Sequence, residues 1–290
     1  MMQKLILLYN AHKGTKDLIL DGENIQCCEL TTNLCRFAEA DAVIFYLPFL
    51  TKLDLSVIRK PPKQKWVAWS MESEDRIPLL KDIEFMSQFD ITISYRQDST
   101  IWHTYFNPAT VREMQTTLPH PKTESALAVM FMSSGINKSN REQFALKLMQ
   151  KIKIDSYGRW QRNKTLTEDK GRETKLSIIS RYKFTLAFEN SICQDYVTEK
   201  IFEPLIVGSV PVYLGSPNID EYAPAPKSFI NVHDFSSVDE LAEYLTFLSK
   251  NEAEYNQYLT WKKNGISEYF IEKAEQHRYS AFSKLCKFLQ

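Results

Sequence analysis

Thr198, Glu199 and Lys200 open a predicted helix directly after a predicted strand, and that arrangement is a ready anion site. The strand lies in residues 182–190, where Phe184, Leu186 and Phe188 alternate with smaller or polar neighbours. Glu189 and Asn190 end it. After a short loop, Thr198 can cap a helix that continues Ile201-Phe202-Glu203-Pro204-Leu205. Free N–H groups and the helix dipole point outward at such a terminus, and Lys200 adds a full positive charge. Arg141 is a second cation of interest. It starts a predicted helix after a strand that runs into Met132-Ser133-Ser134-Gly135. Strand, small-residue loop and helix form a phosphate-friendly geometry, and a guanidinium can grip a pyrophosphate in bidentate fashion. Each residue has a plainer reading. Glu199 and Lys200 are also ordinary first-turn residues, and Arg141 could pair with Glu142 or Asn140.

A carboxylate stands at another strand end. Glu72 follows the apolar run 66–70, where an open α/β sheet presents functional groups. A carboxylate within hydrogen-bond reach of a hydroxyl can deprotonate it. The plainer reading makes Glu72 a surface residue at a helix start, with Ser73 as cap and Glu74 and Asp75 in the first turn.

These segments resemble a known family. Tyr182-Lys183-Phe184, then Phe188-Glu189-Asn190, leading into Tyr196-Val197-Thr198-Glu199-Lys200, resembles the donor-binding signature of the α1,3/4-fucosyltransferases. The resemblance continues through residues 208–217 and 227–235. Trp66-Val67-Ala68-Trp69-Ser70-Met71-Glu72-Ser73 looks like the family's acceptor-side signature, and residues 90–99 also match. The first sixty residues resemble nothing that can be quoted.

The resemblance implies an inverting glycosyltransferase of the GT-B class: two doubly wound, Rossmann-like α/β domains facing a central cleft. L-Fucose would move from GDP-β-L-fucose to a hydroxyl, O3 of N-acetylglucosamine or alternatively O4. The acceptor would be a glycan of N-acetyllactosamine or lacto-N-biose type, and the product a Lewis-type α-fucoside, as on lipopolysaccharide or glycoprotein. Glu72 matches the family's general base. Arg141 and Lys200 would face the diphosphate, with Asn190, Tyr196 and Glu199 along the ribose and fucose. Ser133, Tyr157 and Gly158 would lie near the nucleotide. Tyr196 and Phe188 could equally be core aromatics. Tyr95 and Arg96 are candidates for the acceptor side, and Lys170-Gly171 for a loop covering the base. Two rivals remain: a GT-B transferase using another nucleotide sugar, and a catalytically inert glycan-binding protein.

Composition narrows the classes. The chain has 290 residues, 43% apolar and 25% charged, with 36 Lys+Arg against 36 Asp+Glu. Zero net charge argues against nucleic acid as the main partner. The five cysteines, Cys27, Cys28, Cys35, Cys193 and Cys286, do not read as a disulfide framework. No Asp-x-Asp pair and no Cys-x-x-Cys or His-x-His spacing occurs, so no metal site and no essential cofactor is expected, with Mn²⁺ at most stimulatory. No run is long enough for a membrane span or a signal segment. The family's Golgi members carry an anchor and stem; without them the expectation is a bacterial, cytoplasmic enzyme, with peripheral contact at the inner membrane face as an option.

Apolar runs alternate with helix-like segments, the pattern of α/β architecture. Strands are expected over 5–9, 42–47, 66–70, 91–95, 126–132, 152–157, 184–188, 210–214 and 229–232. Helices are expected near 30–38, 78–88, 139–151, from Glu199, and over 237–249. The polar, proline-bearing stretch 118–124 reads as a linker. The expected division is an acceptor-binding domain over 1–122, a GDP-fucose-binding domain over 123–265, and a helical tail over 266–290 packing back on the first domain.

Overall fold

The computed structural model describes residues 3–10 and 28–290, so Cys27 lies outside the described residues. The strands are β1 Lys4–Leu8, β2 Cys28–Thr31, β3 Ala42–Tyr46, β4 Lys65–Ser70, β5 Ile91–Ser94, β6 Ile101–Trp102, β7 Ala128–Met130, β8 Ile154–Ser156, β9 Phe184–Phe188, β10 Val210–Leu214 and β11 Ile230–Asn231. The α-helices are α1 Lys52–Ser56, α2 Ile83–Met86, α3 Pro108–Thr116, α4 Arg141–Met149, α5 Arg172–Ile179, α6 Glu199–Val207, α7 Val238–Lys250, α8 Glu252–Gln257, α9 Trp261–Asn264, α10 Glu268–Glu275 and α11 Ala281–Phe288. None of the described helices is long and apolar enough to cross a membrane.

The chain forms two units: Met1–Thr104 with His277–Gln290, and Tyr105–Gln276. The first holds a parallel sheet in the order β2-β1-β3-β4-β5-β6. Its strands are apolar on both faces because both are covered. In β4, Trp66 and Ala68 join a cluster with Val43 and Phe45, while Val67 and Trp69 join one with Ile44 and Ile91. The second unit holds a parallel sheet ordered β11-β10-β9-β7-β8. Its strand order reverses between β7 and β9. A doubly wound sheet opens its ligand crevice at such a switch point, outside the carboxyl ends of the strands.

Some elements differ from expectation. Residues 30–38 are not one helix. Leu30 and Thr31 pair with Ile6 and Leu7, and a 3-10 turn follows at Leu34–Glu39. Sheet pairing supplies hydrogen bonds that local apolar spacing cannot foresee. Residues 78–88 split into a 3-10 turn and α2, because the Asp82 carboxylate accepts from the Phe85 N–H at 2.9 Å.

The domain boundaries differ as well. The first lies at Thr104/Tyr105, not at 122, because Phe106 stacks on Phe270 at 4.9 Å and tilts against Phe202 at 5.0 Å. The expected tail is also divided. Helix α10 belongs to the second unit, whereas Ala281, Phe282, Leu285 and Cys286 of α11 complete the core of the first.

One cysteine expectation is corrected. Cys28 on β2 and Cys286 on α11 form a disulfide, with Cα atoms 6.0 Å apart and a sequence separation of 258. Such a separation gives no local signal; only the packing of α11 on the sheet creates it. Cys286→Ser is expected to cost about 2–4 kcal/mol, since the bridge restricts the unfolded chain. Urea unfolding with and without reductant checks this, and an unchanged midpoint would refute it.

Candidate active site

The exits of β7 and β9 are stitched together at the switch point of the second unit. After β7 the chain passes through Ser133 and Ser134, then enters α4 from Asn140, which has φ of 56° and gives no side-chain cap. The first helical residue is Arg141. Its guanidinium turns back, donating to the Phe188 carbonyl at 3.2 Å and the Ser134 carbonyl at 3.0 Å. Ser139 donates its hydroxyl to the Glu189 carbonyl at 2.6 Å and its N–H to the Asn190 carbonyl at 3.1 Å.

Arg141 is 2% exposed, and no described carboxylate lies within ion-pair distance of it. Its Nε has no hydrogen-bond partner. Burial works against the charge and lowers the guanidinium pKa, with Glu189 opposing from a distance. A buried cation without a counter-charge is costly unless an anion arrives.

At the end of β9, Glu189 is wholly buried and takes donors from three groups. The Thr198 N–H and hydroxyl each donate to Oε1 at 2.8 Å, and Lys200 Nζ donates to Oε2 at 2.9 Å. Lys200 is therefore not a bare charge at the helix start, as the sequence suggested. Burial works against its ammonium, but Glu189 and Glu199 offset this and raise its pKa. Lys200→Met should cost about 3–5 kcal/mol of stability, because it leaves a buried carboxylate without its partner. The double variant Glu189→Gln/Lys200→Met should recover most of that loss. Urea unfolding of both would show it; a single variant within about 1 kcal/mol of wild type would contradict it.

Arg141, Lys200 and Phe188 line one hollow, together with Lys175 of α5 and with Phe131 and Met132. Lys175 is not among the expected site residues, because no helix is expected between the strands at 152–157 and 184–188, where α5 lies. Asn190 is buried beside this site, and its Oδ1 has no hydrogen-bond partner. Tyr196 is 2% exposed and meets Tyr105 edge-on at 6.4 Å, so it is in the first place a core aromatic. The Glu199 side chain stays 46% exposed.

Ser133 and Gly158 lie where the β7 and β8 exits meet. Ser133 Oγ accepts from the Arg159 N–H at 3.1 Å. A Cβ on Gly158 would fall 2.1 Å from the Met132 carbonyl oxygen, so only glycine allows this approach. Tyr157 stacks on Phe131, with ring centres 5.3 Å apart. Lys170 and Gly171 lead into α5, with Gly171 at its N-cap, and residues 164–168 line a separate polar hollow with Tyr157 and Arg181.

In the first unit, Ser70 pins the turn after β4. Its hydroxyl donates to the Glu72 carbonyl at 3.0 Å and accepts from the Glu72 N–H at 3.2 Å. No helix starts at Ser73; its carbonyl instead accepts from Arg76 and Ile77 in a turn. The Glu72 carboxylate pairs with Arg76. Glu74 receives the Tyr95 hydroxyl and faces Arg96 at 3.4 Å, beside a cavity of about 340 Å³ that Ser94 and Asp98 also line. Among the described residues, no three His, Cys, Asp or Glu side chains converge as a metal set.

Comparison with known proteins places this geometry. Residues 121–290 match the model of glycosyltransferase family 10 (fucosyltransferase), C-terminal part, and residues 1–106 match the fucosyltransferase N-terminal model. The chain belongs to glycosyltransferase family 10. A fucosyltransferase-like protein of Arabidopsis thaliana is 40% identical over 202 residues, covering 69% of this chain and 38% of that protein. A 3-galactosyl-N-acetylglucosaminide 4-alpha-L-fucosyltransferase of Bos taurus is 34% identical over 244 residues, covering 81% of this chain and 64% of its own. The chain thus spans less than two thirds of the length of these relatives. A solved alpha1,3-fucosyltransferase with GDP-fucose shares the fold, with TM-score 0.63 and 22% identity over 89% of this chain and 81% of its own. This family 10 chain accordingly has the two Rossmann-like, parallel-sheet units of a GT-B fold.

Proposed function

We propose that the protein is an α1,3-(or 1,3/4-)fucosyltransferase, moving L-fucose from GDP-β-L-fucose to a hydroxyl of an N-acetyllactosamine-type glycan with inversion. The observation that carries this reading is Arg141: a buried guanidinium without a carboxylate, facing a hollow at the switch point of the second sheet. A nucleoside diphosphate supplies the missing anion. The solved relative described with GDP-fucose and the 4-alpha-L-fucosyltransferase of Bos taurus support the choice of donor and of sugar acceptor.

In this mechanism the acceptor hydroxyl attacks the anomeric carbon in one displacement. Glu72 takes its proton, and the bond to the diphosphate breaks through an oxocarbenium-like transition state. Arg141 and Lys200 hold the departing diphosphate, whose negative charge grows as it leaves. Because side chains supply this compensation, activity should persist in EDTA.

Disulfides persist in oxidising compartments, so the buried Cys28–Cys286 bridge favours such a compartment over the expected cytoplasmic placement. Incubation with GDP-fucose and a panel of type 1 and type 2 N-acetyllactosamine acceptors, with and without EDTA, tests the reading. An α-fucosylated product whose linkage is resolved supports it. Binding of UDP in place of GDP would favour another nucleotide-sugar transferase, and GDP-fucose binding without transfer to any acceptor would favour a glycan-binding protein. Activity lost in EDTA and restored by one metal ion would overturn the charge-compensation step.

A further inference from the structure

Glu203 is an odd residue for its place. It lies in α6 among Ile201, Phe202, Pro204, Leu205, Ile206 and Val207, all buried, and its side chain is 7% exposed. An apolar residue would be cheaper there, because burying an ion pair costs desolvation of both charges. Its near partner is Lys175 of α5, with Nζ 2.5 Å from Oε2. Arg172 stands farther off at 3.7 Å, and its guanidinium is already engaged by Glu113 at 3.0 and 2.7 Å.

The pair fixes where Lys175 ends. Its Nζ lies 5.8 Å from the Phe131 ring centre, and the side chain lines the same hollow as Arg141 and Lys200. Glu203 sits one helical turn beyond Glu199, and Lys175 and Lys200 together act on Glu199. An ammonium carries three N–H donors, so an ion pair with one carboxylate leaves donors for a ligand oxygen. We propose that Lys175 is a further donor-binding residue, the third cation on the diphosphate beside Arg141 and Lys200, with Glu203 as its positioning residue. This assignment rests on the nucleoside diphosphate reading of the hollow.

The rival role for Lys175 is to neutralise Glu203 and nothing more, and the double variant Lys175→Met/Glu203→Gln separates the two. It removes both charges, so no carboxylate is left stranded, and its unfolding midpoint should return close to that of wild type. Titration calorimetry with GDP should still show Kd raised by about tenfold, and GDP-fucose kinetics should show the same loss in KM with a smaller one in kcat. Lys175→Arg should keep most of the affinity, because the positive charge stays. A double variant that binds GDP within about twofold of wild type would overturn the assignment and leave the diphosphate reading of the hollow standing. Wild-type protein that binds no GDP would overturn both.

Discussion

Arg141→Met is expected to lower kcat/KM for the donor by about 10²–10³, the range seen when one preorganised donor to a developing anion is removed. The effect should exceed that of any exposed cation, because Arg141 is buried and its guanidinium is already fixed by the Phe188 and Ser134 carbonyls. Little conformational freedom is left to lose on binding. Both kcat and KM should worsen, since the charge acts on bound donor and on leaving diphosphate alike. The ligand-free fold should tolerate the change. The lost bonds to two carbonyls are offset by removing a buried charge that has no counter-ion. Steady-state kinetics and unfolding of the ligand-free variant test both halves. A loss smaller than about threefold in kcat/KM would show that the guanidinium serves the loop and not the donor.

Glu72→Gln is expected to reduce transfer by about 10²–10⁴, the usual contribution of a general base, while GDP affinity stays unchanged. The amide keeps the shape of the side chain and the Ser70 turn that positions it, which is built from backbone groups of Glu72. It cannot accept the proton. Arg76→Ala is the companion variant, because Arg76 pairs with the Glu72 carboxylate but, as a guanidinium, cannot itself accept the proton. It should lose far less activity than Glu72→Gln. Equal losses in the two variants would mean that the ion pair organises the turn and that the base lies elsewhere, with Glu74 the nearest alternative at the same strand end.

The sequence by itself determined the elements that position the donor site. Phe184, Leu186 and Phe188 alternate, and Thr198 is a good cap. Both are local signals, and β9 and α6 form where those signals lie. It also marked Arg141, because a helix start after a strand is a local pattern. Tertiary structure decided what those side chains do. Glu189 and Lys200 are eleven residues apart and read as independent charges, yet burial at the end of β9 makes them a pair. Lys175 stands where no helix is expected from the sequence, and it reaches the site only because α5 packs against α6. Cys28 meets Cys286, and Tyr105–Gln276 rather than 123–265 forms the second unit, for the same reason. Helix caps and strand alternation act over a few residues, whereas desolvation, ion pairing and the closure of a core depend on which distant segments exclude water together.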